Sequence, residues 1–389
     1  MHNKVVCLSN VYDQHYLDLR GEKIAPCLSS PKRRDLFRCL ELATGRVVVV
    51  LSSPPKSLER RSPRWLPAAA TTFSTHRQFF CANWDVPKLR IPLGWLFYAV
   101  QAVRRIQSND LVVIDNYEFI YVVAAYAVRL FRRVDFVLEY EDGKHAIDQS
   151  WHAGLSGLAE KMGRGLIRAA ILAHPALGRR LPPNVPTLLA PGFVVRTTLP
   201  RERPPLGDTV HFLYSGSLDR TRGVDLLLAA LPLLPETGWH LHITGAGSLE
   251  KEVAALAGGP RWQGRVTFHG TLPAVDYTAL IGRCQVGLNC QRPSDPISDV
   301  TFPSKVFSYM SAGLLILSSR ASDVPVVCGD ACIYYEAETP ASLAEAIHRV
   351  VQHYTELSLS GKADKVTAIY GIEGTAQRLT QLLAEANLA

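Results

Sequence analysis

Residues 209–234 read TVHFLYSGSLDRTRGVDLLLAALPLL, and this stretch decides the fold. Thr209–Tyr214 is an apolar run of strand length, Gly216 breaks it, and Val224–Leu234 places its leucines at helical spacing. A strand that turns through glycine into a helix is half of a βαβ unit, because parallel strands need a long crossover and a helix supplies it. The alternation continues downstream with strand Trp239–Thr244, helix Leu249–Ala257, strand Arg265–Phe268, helix Ala274–Arg283 and strand Val286–Asn289. A helix over Ser304–Ala312, a strand over Leu314–Ser318 and helices over Pro340–Tyr354 and Glu373–Ala386 complete the half.

The same pattern runs upstream. Strands are expected at Lys4–Ser9, Val47–Ser52, Leu111–Asp115, Asp135–Tyr140 and Ala170–Ala173, with helices near Lys32–Ala43, Pro92–Ile106, Glu118–Arg132 and Gly154–Arg168. Ser53–Pro67 is rich in proline and arginine and lacks periodicity, which predicts an exposed loop and a candidate lid. A second proline cluster, Pro182 to Pro205, puts a domain boundary near Pro200. The expectation is an α/β protein of two Rossmann-like domains, residues 1–200 and 201–389, with the last helix free to return to the first domain.

The 389 residues suit two domains, and 47% hydrophobic with 20% charged residues fits a globular enzyme rather than a disordered chain. None of the eight cysteines falls in a C-x-x-C pair, so buried free thiols are expected instead of disulfides or zinc. The opening MHNKVVCLSN is too short an apolar run for a secretory signal, and charges such as Arg129, Arg132 and Arg133 interrupt the longest apolar stretch. A cytoplasmic protein is predicted. Residues 1–200 hold 27 Lys+Arg against 16 Asp+Glu, a balance of +11, and the total of +7 leaves −4 for the rest. A basic first half suits an anionic partner such as a phospholipid surface or a lipid-diphosphate acceptor, or is simply solvated surface.

In open parallel sheets ligands bind beyond the carboxyl ends of the strands, where loops and helix N-termini converge. Four such ends carry informative residues. In YSGSLDRTRG (214–223), Gly216 and Ser217 turn the chain and Arg222 offers a cation beside backbone amides. In HITGAGSLEKEV (242–253), Gly245 and Gly247 make a tight turn. In TFHGTLPAVDY (267–277), Gly270 closes a strand and Leu272 leads into a helix, either as an ordinary βα loop or offering backbone groups to a planar base. In QRPSDPISDVTFPSKVFSYMSAG (291–313), Asp299, Ser304, Lys305 and Ser308 surround a helix start.

The order and spacing of these segments, Y-S-G-x-L with R-G, then I-T-G-x-G, V-x-F-H-G-x-L and F-P-S-K-V-F-x-Y-M-S-A-G, resemble the retaining glycosyltransferases of the GT-B fold, glycosyltransferase family four. The resemblance covers residues 210–351 and is architectural over 1–200. It implies two Rossmann-like domains with parallel sheets facing across a cleft. It also implies a nucleoside diphosphate with Arg222 and Lys305 near its phosphates and Gly270 to Leu272 near its base. Two departures stand out. Ser217 occupies the position where the family has an arginine, and Val300 and Ser308 replace two glutamates eight positions apart. Ser308 retains a hydroxyl, and Asp295 or Asp299 is within reach of the sugar.

In the first domain, Val137–His145 ends a strand where the family has a His-Asp pair facing the acceptor, and Glu141 and Asp142 take those positions. They either orient or deprotonate an acceptor hydroxyl, or Asp142-Gly143 makes a turn while Glu139 or Glu141 caps it or pairs with Lys144. The apolar stripe of Pro92–Ile106, with arginines at its end, either packs inside the domain or lies on an anionic membrane.

These readings add up to a glycosyltransferase that passes a sugar from a nucleoside-diphosphate donor to a glycan or lipid-linked acceptor in surface polysaccharide synthesis. It would act at the inner face of the cell membrane. No D-x-D pair sits on a suitable loop, so neither metal nor cofactor is expected. The alternative is a catalytically weak sugar-nucleotide-binding subunit. A dinucleotide oxidoreductase lacks its G-x-G-x-x-G fingerprint, and nucleic-acid binding has only the basic first half behind it.

Overall fold

The computed structural model describes residues 4–11, 30–53, 64–86, 89–141, 151–195, 207–357 and 362–388. The chain forms two compact units, Met1–Phe193 with Ile372–Ala389, and Val194–Gly371. Asp142, Lys144, His145, Pro200 and most of the candidate lid, residues 54–63, lie outside the described residues.

The first unit contains strands β1 (Val5–Leu8), β2 (Val48–Ser52), β3 (Arg64–Leu66), β4 (Ala69–Thr72), β5 (Arg77–Phe80), β6 (Asn83–Asp85), β7 (Leu111–Asp115), β8 (Phe136–Tyr140), β9 (Ile167–Leu172) and β10 (Thr187–Leu189). Eight of them make one sheet in the order β10-β9-β8-β7-β1-β2-β5-β4. It is parallel except where β4 runs against β5. VVCL in β1, VVVLS in β2, LVVID in β7 and FVLEY in β8 are buried throughout, which a parallel sheet covered by helices on both faces demands. Each fully buried branched side chain contributes roughly 1.5–3 kcal/mol.

The helix Ile372–Glu385 closes this unit. It meets the helix Ser30–Thr44 through Cys39 Sγ donating to Ile372 O at 3.5 Å and Thr380 Oγ1 donating to Ala43 O at 3.2 Å. Arg378 Nη2 donates to Leu189 O at 2.8 Å.

The second unit holds β11 (Val210–Ser215), β12 (Trp239–Thr244), β13 (Val266–Phe268), β14 (Val286–Asn289), β15 (Leu315–Ser318) and β16 (Ile333–Tyr334). All are parallel, in the order β13-β12-β11-β14-β15-β16. The order reverses between β11 and β14, and a crevice opens at such a switch because adjacent connections leave to opposite faces. The corresponding reversal in the first sheet lies between β1 and β7.

The observed elements depart from expectation where short apolar runs are ambiguous. The helix expected over Gly154–Arg168 spans Trp151–Gly163, followed by a 3₁₀ turn at Arg164–Leu166 and by β9 from Ile167. Within the stretch read as a loop, Arg64–Leu66 is a strand paired antiparallel with Asn83–Asp85. Among the described residues no helix is long and apolar enough to cross a membrane.

Candidate functional site

At the β11/β14 switch the backbone is packed too closely for side chains. Gly223 has φ +71°, and a β-carbon there would fall 1.8 Å from Cys290 O. Gly245, at φ +135°, would place its β-carbon 1.9 Å from Gly216 O, and one on Gly247 would meet Leu218 O at 2.6 Å. Sterics therefore require glycine at all three positions, and at Gly223 and Gly245 the positive φ requires it as well. The turns are then stitched together. Gly216 N–H donates to Thr244 O at 3.1 Å, Gly245 N–H to Gly270 O at 2.9 Å and Thr244 Oγ1 to the same carbonyl at 2.7 Å. Asp219 Oδ1 accepts from Ser248 N–H at 2.9 Å and Ser248 Oγ at 2.7 Å. The amides of Gly216 and Gly245 are thus spent on fixing one turn to the next.

Two cations face this scaffold. The helix Lys305–Ser311 is seated by Tyr309, whose ring lies against β14 where Gly287 leaves room: a β-carbon there would come within 2.3 Å of the ring. Ser215 N–H donates to Tyr309 Oη at 2.9 Å. One turn earlier on the same face, Lys305 Nζ is set 3.7 Å from the Tyr214 ring centroid. A β-carbon on Gly216 would lie 3.5 Å from that Nζ. The ammonium is shut off from solvent and has no hydrogen-bond partner. Burial, reinforced by the neighbouring Arg222 charge, lowers its pKa to about 7.

The three arginines nearby differ in how their charge is met. Arg220 pairs with Asp225 at 3.3 Å, and Arg292 with Asp225 at 2.8 Å and Glu338 at 2.6 Å. Arg222 is held instead by the neutral side chain of Gln291, whose Nε2 donates to Ser298 Oγ at 2.9 Å. Arg222 and Lys305 lie close enough for their charges to act on one another, and among the described residues neither makes an ion pair with a carboxylate, an arrangement that suits an anion. Gln291, Tyr214 and Tyr309 were not singled out from the sequence, because their part in the site depends on which strand ends adjoin.

The other expected donor residues differ in exposure. Ser217, Ser304, Ser308 and Asp299 are exposed, while Gly270 and Leu272 are half-buried. Ser308 Oγ makes a long 3.5 Å bond back to Ser304 O. Asp295 Oδ1 accepts from Ile297 N–H at 3.0 Å, capping the 3₁₀ turn Pro296–Asp299.

The first sheet carries a second charged cluster at its own switch. Asp115, at the end of β7, accepts from Ser9 Oγ at 2.8 Å and pairs with Arg33 at 2.7 Å. Glu141, just past β8, pairs with Lys32 at 3.3 Å, and its N–H donates to Asn116 Oδ1 at 2.8 Å. Glu139 is buried between them, 4.0 Å from Lys32. Burial, with the charges of Glu141 and Asp115, raises the Glu139 pKa far above the carboxylate range. Carboxylate oxygens of Asp115, Glu139 and Glu141 lie within 4.8 Å of one another, a donor set for a hard cation, but Lys32 and Arg33 already supply the balancing charge.

The two parallel sheets, each with its switch point, have the GT-B fold. Solved structures similar to this chain along almost its whole length share that fold. They include sucrose-phosphate synthase from Thermosynechococcus elongatus (16% identity, 98% of this chain and 99% of that chain, TM-score 0.70). Anabaena HepE in complex with UDP and glucose is another (12%, 98% and 100%, TM-score 0.65). The catalytic domain of Arabidopsis thaliana starch synthase IV bound to ADP and acarbose is a third (9%, 99% and 99%, TM-score 0.68). Residues 209–353 match the family model for glycosyl transferases group 1. No curated protein matches the chain by sequence.

Proposed function

We propose that the second unit binds the diphosphate of a sugar nucleotide through Lys305 and Arg222, and that the protein transfers the sugar to an acceptor held by the first unit. The observation that carries this reading is the buried Lys305 ammonium, unpartnered and closed over Gly216. A buried charge without a partner is costly, and a diphosphate seated against it would restore the missing interaction. HepE and starch synthase IV were solved with UDP and with ADP, which accords with a nucleoside diphosphate at this place. As glycosyl transfer proceeds the diphosphate gains charge, so fixed cations lower the barrier by favouring the departing group. Two cations make a metal unnecessary in this scheme. Retention of configuration, a hexose or deoxyhexose donor and a role in surface polysaccharide synthesis rest on the family resemblance.

The acceptor is proposed to be a glycan or lipid-linked intermediate at an anionic membrane surface. Leu96 and Val100 on the helix Arg90–Arg105 are exposed, as are Leu130 and Phe131 beside Arg129, Arg132 and Arg133. Trp65 and Trp84, opposed across β3–β6, are each about half exposed. Aromatic and aliphatic side chains interleaved with arginine suit an interface with anionic lipid. Co-sedimentation with phosphatidylglycerol vesicles should fall several-fold in a Leu130→Ser, Phe131→Ser double variant. Equal binding by the variant would remove these two side chains from the interface.

The donor reading is tested by incubating the protein with UDP-, GDP-, ADP- and dTDP-sugars and following nucleoside diphosphate release. One donor should be consumed, and Arg222→Ala should lower kcat/KM at least 100-fold, an effect of about 2.7 kcal/mol. Binding without turnover would support the second reading, a sugar-nucleotide-binding subunit. That reading draws on Ser217 and Ser308 standing where arginine and glutamate are expected.

A further inference from the structure

Four histidines from three adjacent strands meet on one face of the second sheet. His211 Nδ1 lies 3.0 Å from His242 Nε2, and His242 Nδ1 lies 3.1 Å from His269 Nε2, so both nitrogens of the middle ring are engaged. His240 stacks on His242 with ring centroids 4.4 Å apart and bonds Thr267 Oγ1 at 2.8 Å. The row borders a cavity of about 340 Å³ lined also by Asp208, Leu280, Arg283 and Gln285. Arg283 is the cation facing the row from the helix Ala274–Arg283, and Asp208, ahead of β11, is the one carboxylate among the lining residues.

The row ends at the donor site. His269 N–H donates to Ile243 O at 2.9 Å, and the next residue, Gly270, offers the carbonyl that holds both Gly245 N–H and Thr244 Oγ1. That carbonyl fixes the second glycine turn, which in turn sits on Gly216.

Proton counting limits what the row can store. Three neutral imidazoles carry one ring proton each. Each of the two ring-to-ring bonds accommodates one proton, and each outer nitrogen, His211 Nε2 and His269 Nδ1, one more. One added proton therefore leaves both bonds intact, whereas a second forces two N–H groups to face each other and opens a bond. The geometry points to a proton-operated latch: the His211–His242–His269 row positions the Gly270 carbonyl, and the second added proton loosens the donor site. This inference rests on the reading of residues 216–308 as a sugar-nucleotide site. Burial, then the charges of its neighbours, lowers the His242 pKa to about 3 and also lowers those of His211, His240 and His269. The latch is therefore closed near neutrality and opens as the medium acidifies.

Its test uses sugar nucleotides, whose diphosphate diesters keep their charge between about pH 3 and pH 8, together with His242→Gln, whose amide still donates and accepts but does not titrate in that range. Wild-type affinity should stay level with that of His242→Gln from pH 8 to pH 5 and then fall at least fivefold more than the variant's on going to pH 3, where the lowered His242 pKa of about 3 admits the second proton. Hydrogen exchange of the 243–247 segment, corrected for intrinsic rates, should accelerate on acidification in the wild type and stay level in the variant. A variant that follows the wild type in both readouts overturns the latch. If no sugar nucleotide binds at any of these pH values, the donor reading fails, and the exchange comparison decides the latch by itself.

Discussion

Replacing Lys305 with methionine is expected to stabilise the ligand-free protein while abolishing its response to sugar nucleotides. The two effects have one cause. Lys305 Nζ is removed from water, lies over the Tyr214 ring and has no hydrogen-bond partner, so the ammonium opposes folding until an anion arrives. Methionine fills a similar volume and carries no charge. Because the lysine stem still touches solvent, the gain should be about 1–3 kcal/mol, roughly 3–10 °C in Tm for a unit of this size. The pH dependence carries a definite sign. The folded pKa is lowered to about 7, whereas the unfolded chain keeps a lysine value near 10.4, so between these limits the unfolded state binds more protons and stability rises with pH. Lys305→Met should lose that rise, as followed by thermal denaturation across pH 7–10. A less stable variant that still binds nucleotide would refute the assignment.

Gly223→Ala should be the most damaging single-methyl change in the second unit. The added carbon would overlap Cys290 O at 1.8 Å at a backbone angle of φ +71°. Neither the carbonyl, at the end of β14, nor the turn that precedes the helix Val224–Ala230 can move without displacing Arg222. A loss above roughly 4 kcal/mol is expected, the range reserved for severe steric defects. Gly264→Ala is the control: its φ of +78° is similarly left-handed, but nothing lies within 4 Å of the added carbon. It should lose only about 1 kcal/mol, the conformational part alone. Similar urea midpoints for the two variants would show that the contact with Cys290 O does not limit residue 223.

The contrast between these glycines shows what the sequence reveals and what it withholds. Periodicity located β11, β12, β14 and the helices between them, because mostly apolar runs of four to six residues alternate with helical spacing. It also marked Gly216, Gly245 and Lys305 as residues at strand ends. It left β3 and β6 unread, since three-residue strands such as Arg64–Leu66 are too short to show a period and owe their form to the pairing partner. The helix Lys362–Tyr370 was likewise unread. The clusters were hidden for a different reason. Glu141 was weighed against Lys144, its neighbour in sequence, whereas Lys32, far off in sequence on the helix Ser30–Thr44, is its partner. His211, His242 and His269 are spread over 59 positions and become a row only when β12 is inserted between β11 and β13. Local pattern gives the elements, and long-range register gives the chemistry.

The most direct test of the account is calorimetric titration of sugar nucleotides at about pH 8 in buffers of different ionisation enthalpy. A diphosphate seated on Lys305 should draw that side chain from its lowered pKa of about 7 back into the ammonium form. Binding should therefore take up nearly one proton per site, and Lys305→Met should take up none. Binding with no proton uptake, or with uptake unchanged in Lys305→Met, would place the diphosphate elsewhere and contradict the account.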